Sequence, residues 1–241
     1  MIITYGVYYI YFSNIICYNI FIKTFVIVLS SINTMKGIIY MEDLEKLILF
    51  LKNEFEKFCS DWIKDDNYVR LNMRTTLVLD FYNDEKLFLY ALKYRDFIGN
   101  NIDDMYDKID ELGIKKATFR IKAVNSIQYK IKNYTKTHEN GKIPINKCLN
   151  DILGFRIVLE EKIKYNEIDD IISKKFKDIK CILSSKGDYV AVHLYFGKGN
   201  RYVFPWELQI WDKPHEESNY LSHSKYKQAY TKWEEENKED I

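Results

Sequence analysis

Cysteine motifs are missing from this sequence. Its four cysteines, Cys17, Cys59, Cys148 and Cys181, are scattered, with no CxxC and no Cys/His cluster. Neither a zinc site nor a disulfide framework is expected, and reduced thiols in a cytoplasmic protein are the simpler reading. Turn-breaking residues are scarce too: three prolines and nine glycines in 241 residues leave little room for long disordered linkers. Neither sign of charge is in excess. With 36 basic side chains against 35 acidic, the net charge of +1 argues against a nucleic-acid binder that relies on bulk charge, while a local basic cleft stays open. No internal repeat and no His-Asp dipeptide occur. What is present is apolar mass: 47% hydrophobic residues suffice for the core of one medium domain or two small ones.

The N-terminus is the exception to this balance. Residues 1–22, MIITYGVYYIYFSNIICYNIFI, carry no charged side chain, and after Lys23 a second uncharged run reaches Met35. The length suits a bilayer span, but interspersed Tyr, Asn, Ser and Thr weaken that reading. A basic leader and a small-residue cleavage site are both lacking, so it is a poor signal peptide. Ile, Tyr, Asn and Phe are also what AT-rich DNA encodes by chance, and MEDLEKLI at Met41 reads as a start. Residues 1–40 are therefore set apart, either as an extension that is not part of the native protein or as a membrane anchor.

From Met41 the pattern changes. Leu44, Leu47, Ile48, Leu51, Phe55 and Phe58 recur at helical spacing behind Glu42 and Asp43, which predicts an amphipathic helix to about Trp62. A short strand is expected around Thr76–Leu79, a helix over 84–113 stopped by Gly113, and another helix over 120–134 with Val124, Ile127 and Ile131 as its apolar stripe. After the polar HENGK loop (138–142) the texture becomes β. Residues 153–159, LGFRIVL, read as a strand and 163–176 as a helix. Lys180–Ser184, Ala191–Phe196 and Tyr202–Trp211 read as strands, the last two joined by a GKGN turn. Helix returns from Glu216 and ends in the acidic tail EEENKED. Residues 41–110 thus form an N-terminal helical segment, and 111–241 a mixed α/β or α+β domain.

Five stretches carry chemistry. In FRIKAVNSIQYK, Lys122, Ser126 and Lys130 fall at i, i+4 and i+8 of the expected helix, with Arg120 at its N-terminal end. No acid occurs between Leu112 and Glu139, while Lys115, Lys116, Arg120, Lys122, Lys130, Lys132 and Lys136 are cationic. A triphosphate would satisfy such a face; a solvated basic surface is the plainer alternative. Asp151 stands directly before the apolar strand, and Arg156 inside that strand needs an anionic partner or an open cleft. In FPWELQIW, Glu207 and Gln209 share one strand face, with Trp206, Leu208 and Ile210 on the other. Tyr189, Ala191 and His193 share a face, flanked by Lys186 and Lys198, and His223, Tyr226 and Lys227 fall on one helical side.

In that order, RxKxxxSIxxK (Arg120 to Lys130), DxxGxR (Asp151 to Arg156), YxxxH (Tyr189 to His193), ExQI (Glu207 to Ile210) and HxxYK (His223 to Lys227) resemble the synthetase domain of RelA/SpoT proteins, over roughly residues 110–230. The resemblance implies an α+β, nucleotidyltransferase-like fold: a mixed sheet flanked by helices. It implies transfer of pyrophosphate from ATP to the ribose 3′-hydroxyl of GDP or GTP, with Mg²⁺, making the alarmones ppGpp and pppGpp. Arg120, Lys122, Ser126, Lys130 and Arg156 would hold ATP, with Arg120 also catalytic. Asp151 and Glu207 would be catalytic: Asp151 would ligate Mg²⁺, and Glu207 would help hold the metal or accept the proton from the attacking hydroxyl. Tyr189, His193, Lys186 and Gln209 would form the acceptor side, Tyr189 by stacking on the base. His223, Tyr226 and Lys227 would support the site.

The chain departs from the pattern in two places. The family's ExQIRT reads ELQIWD, so Trp211 stands where a cation is expected, and the glycine often found before the tyrosine of YxxxH is Asp188. No hydrolase of the HD type fits in residues 41–110. The result reads as a small stand-alone synthetase, expected to form homo-oligomers, with no membrane association unless residues 1–40 are native. The alternative is a toxin of the same fold that pyrophosphorylates the 3′ end of tRNA, blocks translation and has an antitoxin protein as partner. Asp151→Asn and Glu207→Gln are each expected to abolish transfer without disturbing the fold.

Overall fold

The computed structural model describes residues 41–114 and 117–224. The chain divides into two units, Met1–Lys46 and Leu47–Ile241. Of the first, residues 41–46 are described, and they open helix α1, which continues in the second unit to residue 62. The second unit then contains α2 (Val78–Asn83), α3 (Glu85–Asn100), α4 (Met105–Glu111), β1 (Thr118–Ile121), α5 (Val124–Thr137), α6 (Ile145–Cys148), β2 (Leu153–Leu159), α7 (Tyr165–Lys175), β3 (Lys180–Lys186), β4 (Tyr189–Phe196) and β5 (Trp206–Asp212). A final described helix, α8, covers residues 216–224. No helix among the described residues is long and apolar enough to cross a membrane. Residues 1–40, on which both N-terminal readings fall, lie outside the described residues.

The five strands form one mixed sheet in the order β1-β2-β5-β4-β3. Only β2 and β5 run parallel; the other neighbours are antiparallel. This is the α+β architecture expected, a mixed sheet with flanking helices. Strand side chains alternate between faces, so the in-register pairing sorts the sheet into an apolar and a polar side. Phe155, Leu194, Trp206, Leu208 and Phe196 belong to the buried apolar side. There Phe55 and Phe58 of α1 meet Trp206 at 5.4 and 5.2 Å between ring centroids, and Tyr94 of α3 meets Phe58 and Phe204 at 5.4 and 5.1 Å. The Tyr94 hydroxyl donates to the Phe204 carbonyl at 2.9 Å, satisfying a polar atom inside this aromatic core.

Three local expectations give way. Residues 120–134 are not one helix: 118–121 form β1, and α5 starts at Val124. Pairing with β2 packs the half-buried Phe119 against Phe155 and Tyr106, at 5.8 and 4.1 Å between centroids, and this contact outweighs the local helical pattern. Ile127 and Ile131 of the expected stripe are buried, but Val124, in the first turn, is exposed. Thr76–Leu79 is not a strand. Leu77 makes only an isolated bridge to Pro144, and the Asp80 carboxylate accepts the Leu77 N–H at 2.7 Å, which starts α2 instead. The helix expected over 84–113 is split into α3 and α4 after Asn100, with Gly113 (φ +77°) closing the second piece.

The turn after β4 fixes the sheet to α1. Gly197 has φ +91°, and a Cβ there would lie 2.6 Å from Phe55 Cζ. Phe55 is itself buried against Trp206 and cannot yield cheaply. Gly197→Ala should therefore cost about 2–4 kcal/mol in urea denaturation, combining left-handed strain with overpacking. Gly187→Ala, at φ +61° with nothing within 4 Å, should show the strain alone. Equal losses in the two variants would show that Phe55 does not constrain the turn.

Candidate active site

The polar face of the sheet is built in two rows. Arg120 of β1 pairs with Gly154 of β2, which pairs with Glu207 of β5, which pairs with Tyr195 of β4. One step along lie Thr118, Arg156, Gln209 and His193. Residues from four motifs thus come together because the strands that carry them are in register. Gly154 leaves the floor bare between Arg120 Nε and Glu207 Oε2, each about 4 Å from where its Cβ would be. Above this floor is a cleft of about 320 Å³, lined among others by Arg120, Arg156, Glu207, Gln209, Tyr220 and His223.

Asp151 lies just before β2 and is 8% exposed. Its Oδ2 accepts from Lys122 Nζ at 2.6 Å and its Oδ1 from Lys130 Nζ at 2.9 Å. Arg120 approaches at 3.9 Å. Burial alone would raise the Asp151 carboxyl, but Lys130 and Lys122 outweigh it and hold it well below the usual carboxylate range. Burial lowers Lys130 as well, yet Asp151 reverses that and raises it; Lys122 stays lowered, by burial first. The spacing that set Lys122 and Lys130 on one helix stripe is thus met differently: Lys122 follows β1, Lys130 sits on α5, and both converge on Asp151.

Glu207 is the second buried carboxylate. Its Oε1 is 2.8 Å from His193 Nδ1, and its Oε2 accepts from Gln209 Nε2 at 2.8 Å. Burial pushes its carboxyl up, and the His193 hydrogen bond turns the net shift downward. On the other side of the ring, His193 Nε2 is 3.0 Å from the Tyr189 hydroxyl. A Tyr189–His193–Glu207 chain results. Burial raises the Tyr189 hydroxyl to about 12, which keeps it protonated for that role.

Arg156 fulfils its sequence expectation through the cleft rather than through an acid. Its guanidinium lies 3.6 Å from the Trp211 ring centroid and donates from Nη2 to Gln209 Oε1 at 3.1 Å. Its Nε is buried without a hydrogen-bond partner, and among the described residues no carboxylate pairs with it. His223 Nε2 is likewise buried and unpartnered. Burial, then Arg156 and Arg120, lower the His223 imidazole to about 4. Burial, helped by the neighbouring cations, keeps this histidine neutral above mildly acidic pH.

The remaining expected residues divide. Ser126 is half-buried in the first turn of α5. Lys186 is exposed at the end of β3, opposite Tyr189, and does not line the cleft. Tyr189 is half-buried among Trp211, His223 and His193 and also lies outside the cleft lining. Tyr226 and Lys227, with Lys115 and Lys116 of the basic run, lie outside the described residues. Two useful residues escaped the sequence reading. Tyr220, 52% exposed, is an aromatic that does line the cleft. Asn219 is fully buried and clasps the backbone N–H and carbonyl of Val190 at 2.9 and 2.8 Å, pinning α8 to β4. Asn and Tyr in a helical pattern read as surface, so no sequence signal marked them.

Magnesium favours one or two carboxylates completed by phosphate oxygens and water, and Asp151 and Glu207 are donors of that chemistry. Both are already engaged by internal partners, and no group of three or more His, Cys, Asp or Glu able to hold a metal occurs among the described residues. The donors fit an ion that arrives with its phosphate ligands.

The Asp151 geometry also corrects the expectation that Asp151→Asn leaves the fold undisturbed. Removing this carboxylate strands two lysines, and breaking a buried pair costs about 3–5 kcal/mol. A carboxyl depressed in the folded state stabilises fully above its unfolded value of about 4 and loses that contribution as pH falls through its folded value. The gap between wild type and Asp151→Asn in urea denaturation should therefore be wide at pH 7 and close progressively below about pH 4. A gap that does not change with pH would contradict the ion-paired state.

No family model matches the chain, and no curated protein matches it. Among solved structures it is similar to the small alarmone synthetase 1 from Bacillus subtilis bound to AMPCPP, at 19% identity over 61% of this chain and 82% of that one, with a TM-score of 0.35. At that similarity, what the chain does is read from its own motifs, which resemble the RelA/SpoT-type synthetases, and from its own side chains.

Proposed function

We propose that the chain is an ATP-dependent pyrophosphokinase that transfers the β,γ-pyrophosphoryl group of ATP to the ribose 3′-hydroxyl of GDP or GTP. The observation that carries this reading is the polar sheet face itself. It sets two buried ionised carboxylates, each on its own hydrogen-bond cluster, beside two arginines that open on one cleft. Phosphoryl-type transfer is catalysed mainly by positioning and charge neutralisation, and this face supplies both.

In this reaction the 3′-oxygen forms a bond to Pβ, the bridging bond from Pβ to the α-phosphate breaks, and AMP leaves. The hydroxyl proton passes to Glu207, whose His193 and Tyr189 partners hold it in place. Arg120 and Arg156 bind the triphosphate from the cleft. Asp151 and Glu207 would hold Mg²⁺, which when bound neutralises charge on the triphosphate. With Asp151 serving the ion, Lys122 and Lys130, which it now holds, would be available to phosphate oxygens, and Ser126 in the first turn of α5 would add a hydroxyl. Tyr220, whose ring meets Trp211 and lies 5.7 Å from the Arg156 guanidinium, offers its exposed part to the acceptor base, and Tyr189 supports His193.

A second reading has its own support. Trp211 leaves β5 without the strand-end cation that would meet a nucleotide's 5′-phosphates, and α5 carries Lys132 and Lys136 toward a larger polyanion. Here the acceptor is the 3′ end of tRNA, and the consequence is blocked translation.

ATP labelled in its terminal phosphate, offered with GDP, GTP and deacylated tRNA side by side, separates the two. Label in a guanine nucleotide is expected; label in tRNA alone establishes the second reading, and label in none removes both. Glu207→Gln should lower the rate about 10²–10⁴-fold, as for loss of a positioned base, with circular dichroism unchanged. Tyr220→Ala should weaken acceptor use by about 1–3 kcal/mol, as for one lost stacking contact, and leave the KM for ATP unchanged. A Tyr220→Ala defect confined to ATP would move the ring to the donor side.

A further inference from the structure

Trp211 links the aromatic residues behind the cleft. It is fully buried on β5, and its ring meets Tyr220 at 5.1 Å, His223 at 5.4 Å and Tyr189 at 6.2 Å between centroids. It is not the in-register neighbour of Arg156; that is Gln209. Trp211 stands two residues further along β5 on the same face, the diagonal position that a long side chain reaches across a strand pair. Arg156 makes that reach. The guanidinium lies on the indole at 3.6 Å and is tethered at one edge by Gln209 Oε1.

This leaves the charge of Arg156 unspent. Lys122 and Lys130 already share the Asp151 carboxylate, whereas no carboxylate among the described residues pairs with Arg156, and its Nε has no partner. Arg156 is half-buried with its Nε shut from solvent, and a guanidinium so placed without a counter-ion is stabilised when a ligand supplies the anion. An aromatic platform lowers that cost and, because guanidinium is planar, also fixes which edge points outward.

We infer that Trp211 is a positioning residue that holds the Arg156 guanidinium flat on β5, so that its free edge forms a phosphate-binding subsite in the cleft. The cation missing from position 211 is thereby replaced by one from the neighbouring strand. The subsite deepens the pyrophosphokinase reading and rests on it for its biological ligand, but its chemistry is that of any phosphate chain.

Inorganic tripolyphosphate is the probe, with binding followed by calorimetry on the full chain in the absence of ATP and acceptor. Arg156→Lys keeps the charge but loses the planar stack, and should weaken binding at least 10-fold. Trp211→Leu keeps an apolar filler but loses the platform, and should weaken it to a similar extent, while Trp211→Phe restores binding to within about 3-fold of wild type. The Arg156→Lys/Trp211→Leu double variant should be no weaker than either single, because both remove the same interaction. The inference is overturned if Arg156→Lys binds tripolyphosphate like wild type, a result that does not depend on whether the Trp211 variants fold. Additive losses in a folded double variant would overturn it too. Loss of transfer activity with this coupling intact would remove the pyrophosphokinase reading and leave the subsite standing.

Discussion

The site depends on one carboxylate. Asp151 is buried at the point where β1, β2 and α5 meet, and it is tolerable there only because Lys122 and Lys130 reach it from two different elements. Removing water from an unpaired carboxylate would be prohibitive, so those two contacts lock the relative placement of β1 and α5. Arg120, on the same short strand as Thr118, then stands at the edge of this cluster, 3.9 Å from Asp151, and also lines the cleft. The order of charges in this corner is set by electrostatics, and the cleft inherits it.

From that corner the sheet divides its labour by side-chain parity. One face carries the aromatic core that α1 and α3 cover; the other carries Arg120, Arg156, Glu207, Gln209 and His193 in register. A one-residue slip in any strand would send its polar groups into the core. Folding energy and site geometry are therefore the same constraint. The two carboxylate clusters differ in kind. Asp151 is held by two lysine ammonium groups and is stabilised as an anion, whereas Glu207 is held by an imidazole and an amide, His193 and Gln209.

Much of this was legible in the sequence where periodicity runs long enough. The strand at 153–159 has the bounds read from LGFRIVL, and the opposition of Glu207 and Gln209 to Trp206, Leu208 and Ile210 follows from a two-residue period. The Asp151, Glu207 and His193 motifs do come together on one sheet face. The missed parts have physical reasons. The four residues of β1 are too few for a period to show, and they merge with the basic pattern of α5. The Arg156–Trp211 stack depends on the parallel pairing of strands far apart in sequence, which no local pattern encodes. The Asn219 clasp needs a backbone partner that only the folded chain supplies.

The central claim is that this sheet face receives a triphosphate through Arg120 and Arg156. A crystal structure of the full chain with a non-hydrolysable ATP analogue and Mg²⁺ tests it most directly. The expected result is phosphate oxygens at about 2.7–3.0 Å from both guanidiniums, with the ion on Asp151 or Glu207. A nucleotide seated elsewhere, with no phosphate oxygen at Arg120 or Arg156 and Asp151 still closed by its two lysines, would contradict it.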